Sequence, residues 1–239
     1  MRRIRSYVRR ESRLTQAQSR AIEQFWPRYG LKERERFDPL GVFGREAPLT
    51  LEIGFGDGDN LLTLARTFPE EDFLGIDVYR PGIGALLARL EREAIGNVRL
   101  FASDASDILE ASMPQSVLSR VLIFFPDPWP KRRHHKRRLI QPAFLSQVAC
   151  ALRPGGQLHL ATDDENYAGF MKACLESDPC YLLRSVRVDL GSPFRMATRF
   201  ERRGQRLGHA IYDIEALRIT GLGERPLDHW MSESALLIE

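Results

Sequence analysis

Glu52-Ile53-Gly54-Phe55-Gly56-Asp57-Gly58 follows directly on the apolar run 49–53 and precedes the helix-like stretch 60–67. A strand, a glycine-rich turn and a helix in this order open an α/β unit that binds nucleotide-like ligands at the turn. Glycine lets the backbone turn tightly and lets a ligand approach it closely. A dinucleotide fingerprint reads G-x-G-x-x-G, with the pyrophosphate on the helix N-terminus. Here the third glycine comes one residue early, and Asp59 stands where that fingerprint has glycine. Asp57 and Asp59 also put negative charge where a pyrophosphate would sit. A sulfonium cofactor has no phosphate and carries positive charge, so the acids favour S-adenosylmethionine over NAD.

Outward from this turn the chain keeps alternating. Strands are expected at 73–77, 98–102, 121–125 and 158–161, with helices at 83–94, 142–152 and 167–175 between or after them. Arg153-Pro154-Gly155-Gly156 stops the second of these helices, and 182–188 and 209–214 have strand-like patterns. The run 121–125 (VLIFF) is apolar throughout, as expected of a central parallel strand. This alternation implies a mostly parallel, open, Rossmann-like sheet with helices on both faces. Such sheets bind ligands beyond the carboxyl ends of their strands.

Acids stand at those ends. Asp77 closes the second strand, where a carboxylate can accept hydrogen bonds from both hydroxyls of a ribose. Asp104 follows the third, at a position that faces an adenine amino group in this kind of fold. With Glu52, Gly54, Gly56 and Gly58 they form the expected cofactor set. After the fourth strand comes Phe125-Pro126-Asp127-Pro128-Trp129-Pro130-Lys131. Proline on both sides of Asp127 stiffens the backbone and holds a carboxylate and an indole beside the methyl donor.

Charge is unevenly spread over a chain of 239 residues with net charge +3. Residues 1–36 hold eleven Lys/Arg against four Glu, and 131–138 (KRRHHKRR) hold six Lys/Arg, two His and no acid. Two basic clusters on a nearly neutral chain point to a polyanionic partner such as nucleic acid. No apolar run approaches a membrane span, and no apolar segment follows the basic start, so neither a membrane partner nor a secretory signal is expected and the cytoplasm is the default. Cys150, Cys174 and Cys180 lack CxxC spacing and suggest neither a disulfide framework nor a metal site. The sequence carries no signal for oligomeric state. The expected organisation is a basic, partly helical arm at 1–43 with its helix near 12–26, a turn at 38–41, a catalytic domain at 44–217 and an extension at 218–239.

FFPDPWPKRRHHKRR closely resembles the signature of the bacterial tRNA (guanine-N7)-methyltransferases. LEIGFGDG, FLGIDVYRPGIG, LRPGGQLHLATD and TRFERRGQRLGHAIYD fit the same family in the same order, covering about residues 44 to 216. The resemblance implies a class I S-adenosylmethionine-dependent methyltransferase acting on tRNA, at guanine 46 of the variable loop. It implies cofactor contacts from Glu52, Asp77 and Asp104, with Asp127 between cofactor and base as the catalytic residue. Lys131 and Asp163 would contact the guanosine, with Thr198, Arg199, Phe200 and Glu201 completing its pocket. Arg133, His134, His135, Lys136, Arg137 and Arg138 would touch RNA. Asp77 stands where the family commonly has Glu, and Asp164 where an aromatic is common. Two other enzyme readings are a methyltransferase for another RNA base and a dinucleotide oxidoreductase. A non-enzymatic RNA-binding relative would be expected to have lost an acid at 52, 77, 104 or 127, and all four are present.

Overall fold

The computed structural model describes residues 14–195 and 210–219. Seven strands form one sheet in the order β3-β2-β1-β4-β5-β7-β6. They are β1 (Leu49–Ile53), β2 (Asp72–Ile76), β3 (Val98–Phe101), β4 (Leu118–Phe124), β5 (Leu152–Thr162), β6 (Tyr181–Val188) and β7 (Tyr212–Arg218). The first five are mutually parallel, and β7 pairs antiparallel with both β5 and β6. The chain moves outward from β1 to β3 and then returns to lay β4 against the other side of β1. That reversal opens a crevice above the carboxyl ends of β1 and β4.

Helices cover both faces. On one lie α1 (Gln16–Tyr29), α3 (Asp59–Thr67) and α4 (Arg80–Arg92); on the other lie α5 (Ala105–Ala111), α6 (Pro142–Ala151) and α7 (Glu165–Ser177). Period-2 alternation divides each strand between the two cores. Leu49, Leu51 and Ile53 of β1 enter the core under α5, α6 and α7. Thr50 and Glu52 point the other way and are buried all the same. A buried carboxylate on the α3 side of a central strand is the first sign of function in the fold.

The expected strands and helices are present; α5 is an addition that the sequence reading did not include, and four further differences stand out. The N-terminal helix runs Gln16–Tyr29 rather than 12–26, because Thr15 and Gln18 form a reciprocal capping box and Pro27 falls in the last turn. This helix is packed onto the domain, so packing crosses the boundary expected near Gly44. Tyr29 is fully buried, Arg28 and Tyr29 both bond Glu91, and Leu31 N donates to Leu100 O. Residues 38–41 lead into a short helix, α2 (Pro39–Phe43), closed by Gly44 at φ 72°. Arg153–Gly156 does stop α6, but it is absorbed into β5 as an irregularity where the register with β4 shifts. Finally, β7 lies some residues later than 209–214, since Ile214 and Ala216 are the side chains that reach the core. Among the described residues no helix is long and apolar enough to cross a membrane.

Candidate active site above the central strands

The glycine turn is built from the backbone outward. Gly54, Gly56 and Gly58 all have positive φ, at 77°, 58° and 75°, a region that costs other residues free energy. Gly54 N donates to Ile76 O, and Gly58 N donates to Phe55 O. A Cβ on Gly54 or Gly56 would meet nothing within 4 Å, so the turn faces open space on its outer side. Behind it the fit is close. A Cβ on Gly82, at the start of α4, would lie 2.0 Å from Gly56 O.

Two of the expected acids tie into this turn. Asp77 accepts from Gly56 N at 2.7 Å and from Tyr79 N at 2.8 Å. Burial raises its pKa, against the lowering effect of those backbone donors. Glu52 is buried at the carboxyl end of β1 and accepts from Asn60 Nδ2 at 3.1 Å. Burial pushes its pKa up to about 8, the Asn60 bond opposing and Asp77 adding to the rise. Two acidic groups held beneath a turn with an open outer face suit hydroxyls and positive charge. The residues therefore fit a cationic adenosyl cofactor.

Asp59 must be read differently from the sequence argument. It pairs with Arg89 of α4 at 2.6 Å, so its charge is compensated within the protein. The preference for a sulfonium cofactor thus rests on Glu52 and Asp77. Asp104 is the N-cap of α5 and accepts from Ser106 N at 2.9 Å. Beside the carboxyl end of β3, Ile22 and Trp26 of α1 join Arg80, Ile83 and Ala102 around a mostly apolar cavity of about 340 Å³.

The turn after β4 has a different construction. Phe125 and Trp129, each followed by proline, have φ of 52° and 48°. These are strained values for aromatic residues, and such strain persists only where surroundings enforce it. Asp127 between them is exposed. Arg132–Arg137 then form one 3-10 turn. Lys131, Arg132, Arg133, Lys136 and Arg137 are exposed, and His134 and His135 half-buried. The Arg137 guanidinium lies 4.9 Å from the Trp129 ring centroid, and His134 packs edge-on against the same ring. Desolvation and the cations Arg133, Arg137, Lys131 and Lys136 lower the pKa of His134.

Arg138 corrects the sequence reading. It is only 3% exposed and turns away from the other cations of its cluster. Its Nε donates to Pro128 O at 2.9 Å and its Nη2 to Asn166 Oδ1 at 2.7 Å. An arginine so placed is not a surface grip for phosphate.

Asp163 lies half-buried just beyond β5, in the turn next to the one that carries Asp127. Asp164, where the family commonly has an aromatic, is the N-cap of α7 and accepts from Tyr167 N at 2.7 Å. Thr198, Arg199, Phe200 and Glu201 lie outside the described residues. The flanking Arg195 is buried, donates to both carboxylate oxygens of Asp213 at 2.9 and 2.7 Å, and lies 5.7 Å from the Phe125 ring. His159 reaches the same Asp213 at 2.8 Å. Sequence reasoning missed Asn60, Gly82, Trp26 and this His159–Asp213–Arg195 group. The glycine in PGIG was the only local signal for any of them.

A family model described as "Putative methyltransferase" matches residues 46–214. A tRNA (guanine-N(7)-)-methyltransferase of Methylococcus capsulatus is 50% identical over 215 residues, covering 89% of this chain and 93% of the relative. One of the same name from Alkalilimnicola ehrlichii is 50% identical, covering 88% and 91%. This chain belongs to the tRNA (guanine-N(7)-)-methyltransferase family. It is thus an S-adenosylmethionine-dependent methyltransferase. Solved structures support the fold alone. A 16S rRNA (adenine(1408)-N(1))-methyltransferase from Catenulisporales acidiphilia superposes with TM-score 0.55 at 16% identity, covering 80% of this chain and 99% of that one. TrmN from Thermus thermophilus gives 0.54 at 19% identity, covering 75% and 47%.

Proposed function

We propose that this methyltransferase modifies N7 of a guanine in tRNA, at position 46 of the variable loop as the sequence resemblance implies. The observation that carries this reading is the strained Phe125–Trp129 turn. It presents Asp127 beside the crevice and runs straight into an exposed cluster of cations. A small-molecule enzyme has no use for that cluster. The relatives with about half of their residues identical are named for this reaction.

When bound, S-adenosylmethionine supplies an electrophilic methyl group on a positively charged sulfur. Asp77 has lone pairs left after accepting from Gly56 and Tyr79, and these receive the ribose hydroxyls. The cavity beside Trp26 and Ile83 suits the flat apolar face of a purine. In this reading Asp104 receives the exocyclic amine, and Glu52, which burial keeps protonated in the cofactor-free protein, ionises when a positive charge lies beside it.

Guanine N7 has a free lone pair exposed in the major groove, so no base has to deprotonate it. The protein's task is to hold N7 in line with the methyl group, a contribution of several kcal/mol, on the order of 7 or more for well-aligned reactants. Positive charge passes to the guanine ring as the methyl transfers, and Asp127 is placed to stabilise it there. Lys131 and Asp163 flank the base. Asp163, with Glu201, accepts from guanine N1–H and the exocyclic amine, a donor pair that adenine lacks. Thr198, Arg199 and Phe200 complete that pocket in this reading. The cations Arg133, Lys136 and Arg137 grip phosphate and set register, while RNA shape selects the base. The whole reaction takes place in the cytoplasm, with its substrate.

The test is incubation of unmodified tRNA with the protein and methyl-labelled S-adenosylmethionine, followed by nucleoside analysis. The expected product is 7-methylguanosine from the variable loop. Label in any other nucleoside overturns the substrate assignment.

A further inference from the structure

We propose that Arg138 is a positioning residue for the reaction, a crossbar that sets the place of Asp127 relative to Asp163. The inference rests on the reading of Asp127 and Asp163 given above. Arg138 closes the cationic turn, with its N–H donating to His135 O at 3.0 Å. From there its side chain runs inward. One edge of the guanidinium donates to the carbonyl of Pro128, the residue after Asp127. Another donates to Asn166, three residues after Asp163 in the first turn of α7. The plane lies 4.7 Å from the Tyr167 ring centroid and 5.4 Å from that of Phe170. Tyr167 is itself locked, since its hydroxyl accepts from Ile140 N at 3.0 Å.

The chemistry of this cluster explains the choice of residue. A buried cation is costly unless its donors are satisfied. Here a carbonyl, an amide oxygen and two aromatic rings surround it, so the charge is spent on directed bonds and stacking. Lysine could not replace it, because a single ammonium lacks the planar fork that bonds in two fixed directions beside the two rings. The turn it holds is the strained one. With φ positive at both Phe125 and Trp129, the Pro126–Pro128 segment needs an external hold, and Arg138 grips it one residue from the carboxylate. The same guanidinium is anchored to the helix that leads from Asp163. Loss of the crossbar should therefore let the two substrate carboxylates drift apart without removing a phosphate contact.

The test compares Arg138→Lys and Asn166→Ala with Lys136→Ala in the full-length chain. Small misplacements of reacting groups cost one to two orders of magnitude, so Arg138→Lys should lower kcat about 10-fold or more. KM for tRNA, S-adenosylhomocysteine affinity and the salt slope of tRNA binding should stay at wild-type values. Asn166→Ala, at an exposed helix position, should lower kcat about threefold in the same pattern. Lys136→Ala should do the reverse, raising KM and reducing the salt slope by about one. In an Asp127→Asn background the effect of Arg138→Lys should shrink, because it acts through that carboxylate. Hydrogen exchange at amides 127, 129 and 131 should quicken in both crossbar variants with no substrate present. That reading separates the crossbar from the substrate assignment, which fails only if the wild-type chain makes no 7-methylguanosine. A raised KM and lowered salt slope in Arg138→Lys would make it a phosphate contact after all. A lower melting temperature with unchanged kcat and unchanged exchange would leave it a mere structural residue. Either result overturns the proposal, and Asn166→Ala decides it if Arg138→Lys does not fold.

Discussion

The turns after β1 and β4 face each other across one crevice, and both depend on left-handed backbone. After β1 that conformation falls on Gly54, Gly56 and Gly58; after β4 it falls on Phe125 and Trp129. Glycine adopts it without steric cost, whereas each aromatic residue there stores about 1–3 kcal/mol of strain. The first turn has one bond of its own, from Gly58 N to Phe55 O, and is otherwise tied to the end of β2, where Ile76 O and Asp77 accept from Gly54 N and Gly56 N. The second is held by arginine side chains, Arg138 on Pro128 and Arg195 against Phe125. The turn proposed for the cofactor is thus an unstrained backbone cradle tied to the neighbouring strand, and the turn proposed for the substrate is a strained shape held by side chains. Placing a base from a large RNA requires several elements to agree on where one carboxylate stands.

The contrast can be broken first at the cradle. Gly82→Ala puts a methyl group 2.0 Å from Gly56 O, so the turn must shift toward its open outer side. Binding of S-adenosylhomocysteine should weaken beyond about 100-fold by calorimetry, the misplaced turn losing several contacts at once. Circular dichroism should show the sheet intact. On the substrate side, Asp127→Asn should lower kcat about 30-fold through lost charge stabilisation, with cofactor affinity unchanged. Turnover at the wild-type rate with saturating cofactor would remove Asp127 from the mechanism.

A subtler difference lies in proton linkage. Glu52 has its pKa raised from 4.5 to about 8, chiefly by burial. The folded chain therefore keeps a proton there that the unfolded chain releases. Its contribution to stability is fully present below pH 4.5 and is lost as the pH rises through 8. Glu52→Gln cannot ionise. Thermal melts of the cofactor-free protein should show the wild type losing ground to this variant as the pH rises from 4.5 to 8. Parallel melting curves across that window would show Glu52 ionised throughout. The smallest effect belongs to single exposed cations. Arg133→Ala should weaken tRNA binding only a few-fold at physiological salt, and lower the slope of log affinity against log salt by about one. An unchanged slope would place Arg133 away from phosphate.

Legibility in the sequence followed the same division. Glu52 and Asp77 were readable because strand, glycine turn and acid are contiguous or end on a hydrophobic run. Asp59 was over-read, since its partner Arg89 is 30 residues away on another helix. Arg138 was misassigned for a related reason. Composition places it in KRRHHKRR, but a 3-10 turn sends consecutive side chains in different directions, and the last of them points inward. No spacing rule connects Arg138 to Asn166 or Arg195 to Asp213. Those pairs exist because β4, β5 and β7 are neighbours in the sheet.

By itself the sequence determined the alternating α/β architecture, the glycine turn after β1 and the family, since each depends on short-range pattern: period-2 and period-3.6 hydrophobicity, and glycine where the backbone must be left-handed. The tertiary structure alone decided which charges are free and which are used internally. Asp59 and Arg138 look like functional surface charge in the sequence; folding pairs Asp59 with Arg89 and turns Arg138 inward to Asn166, partners far along the chain. The physical reason is that a charge acts through its surroundings, and burial and pairing are set by which elements meet in space rather than by the residues beside it.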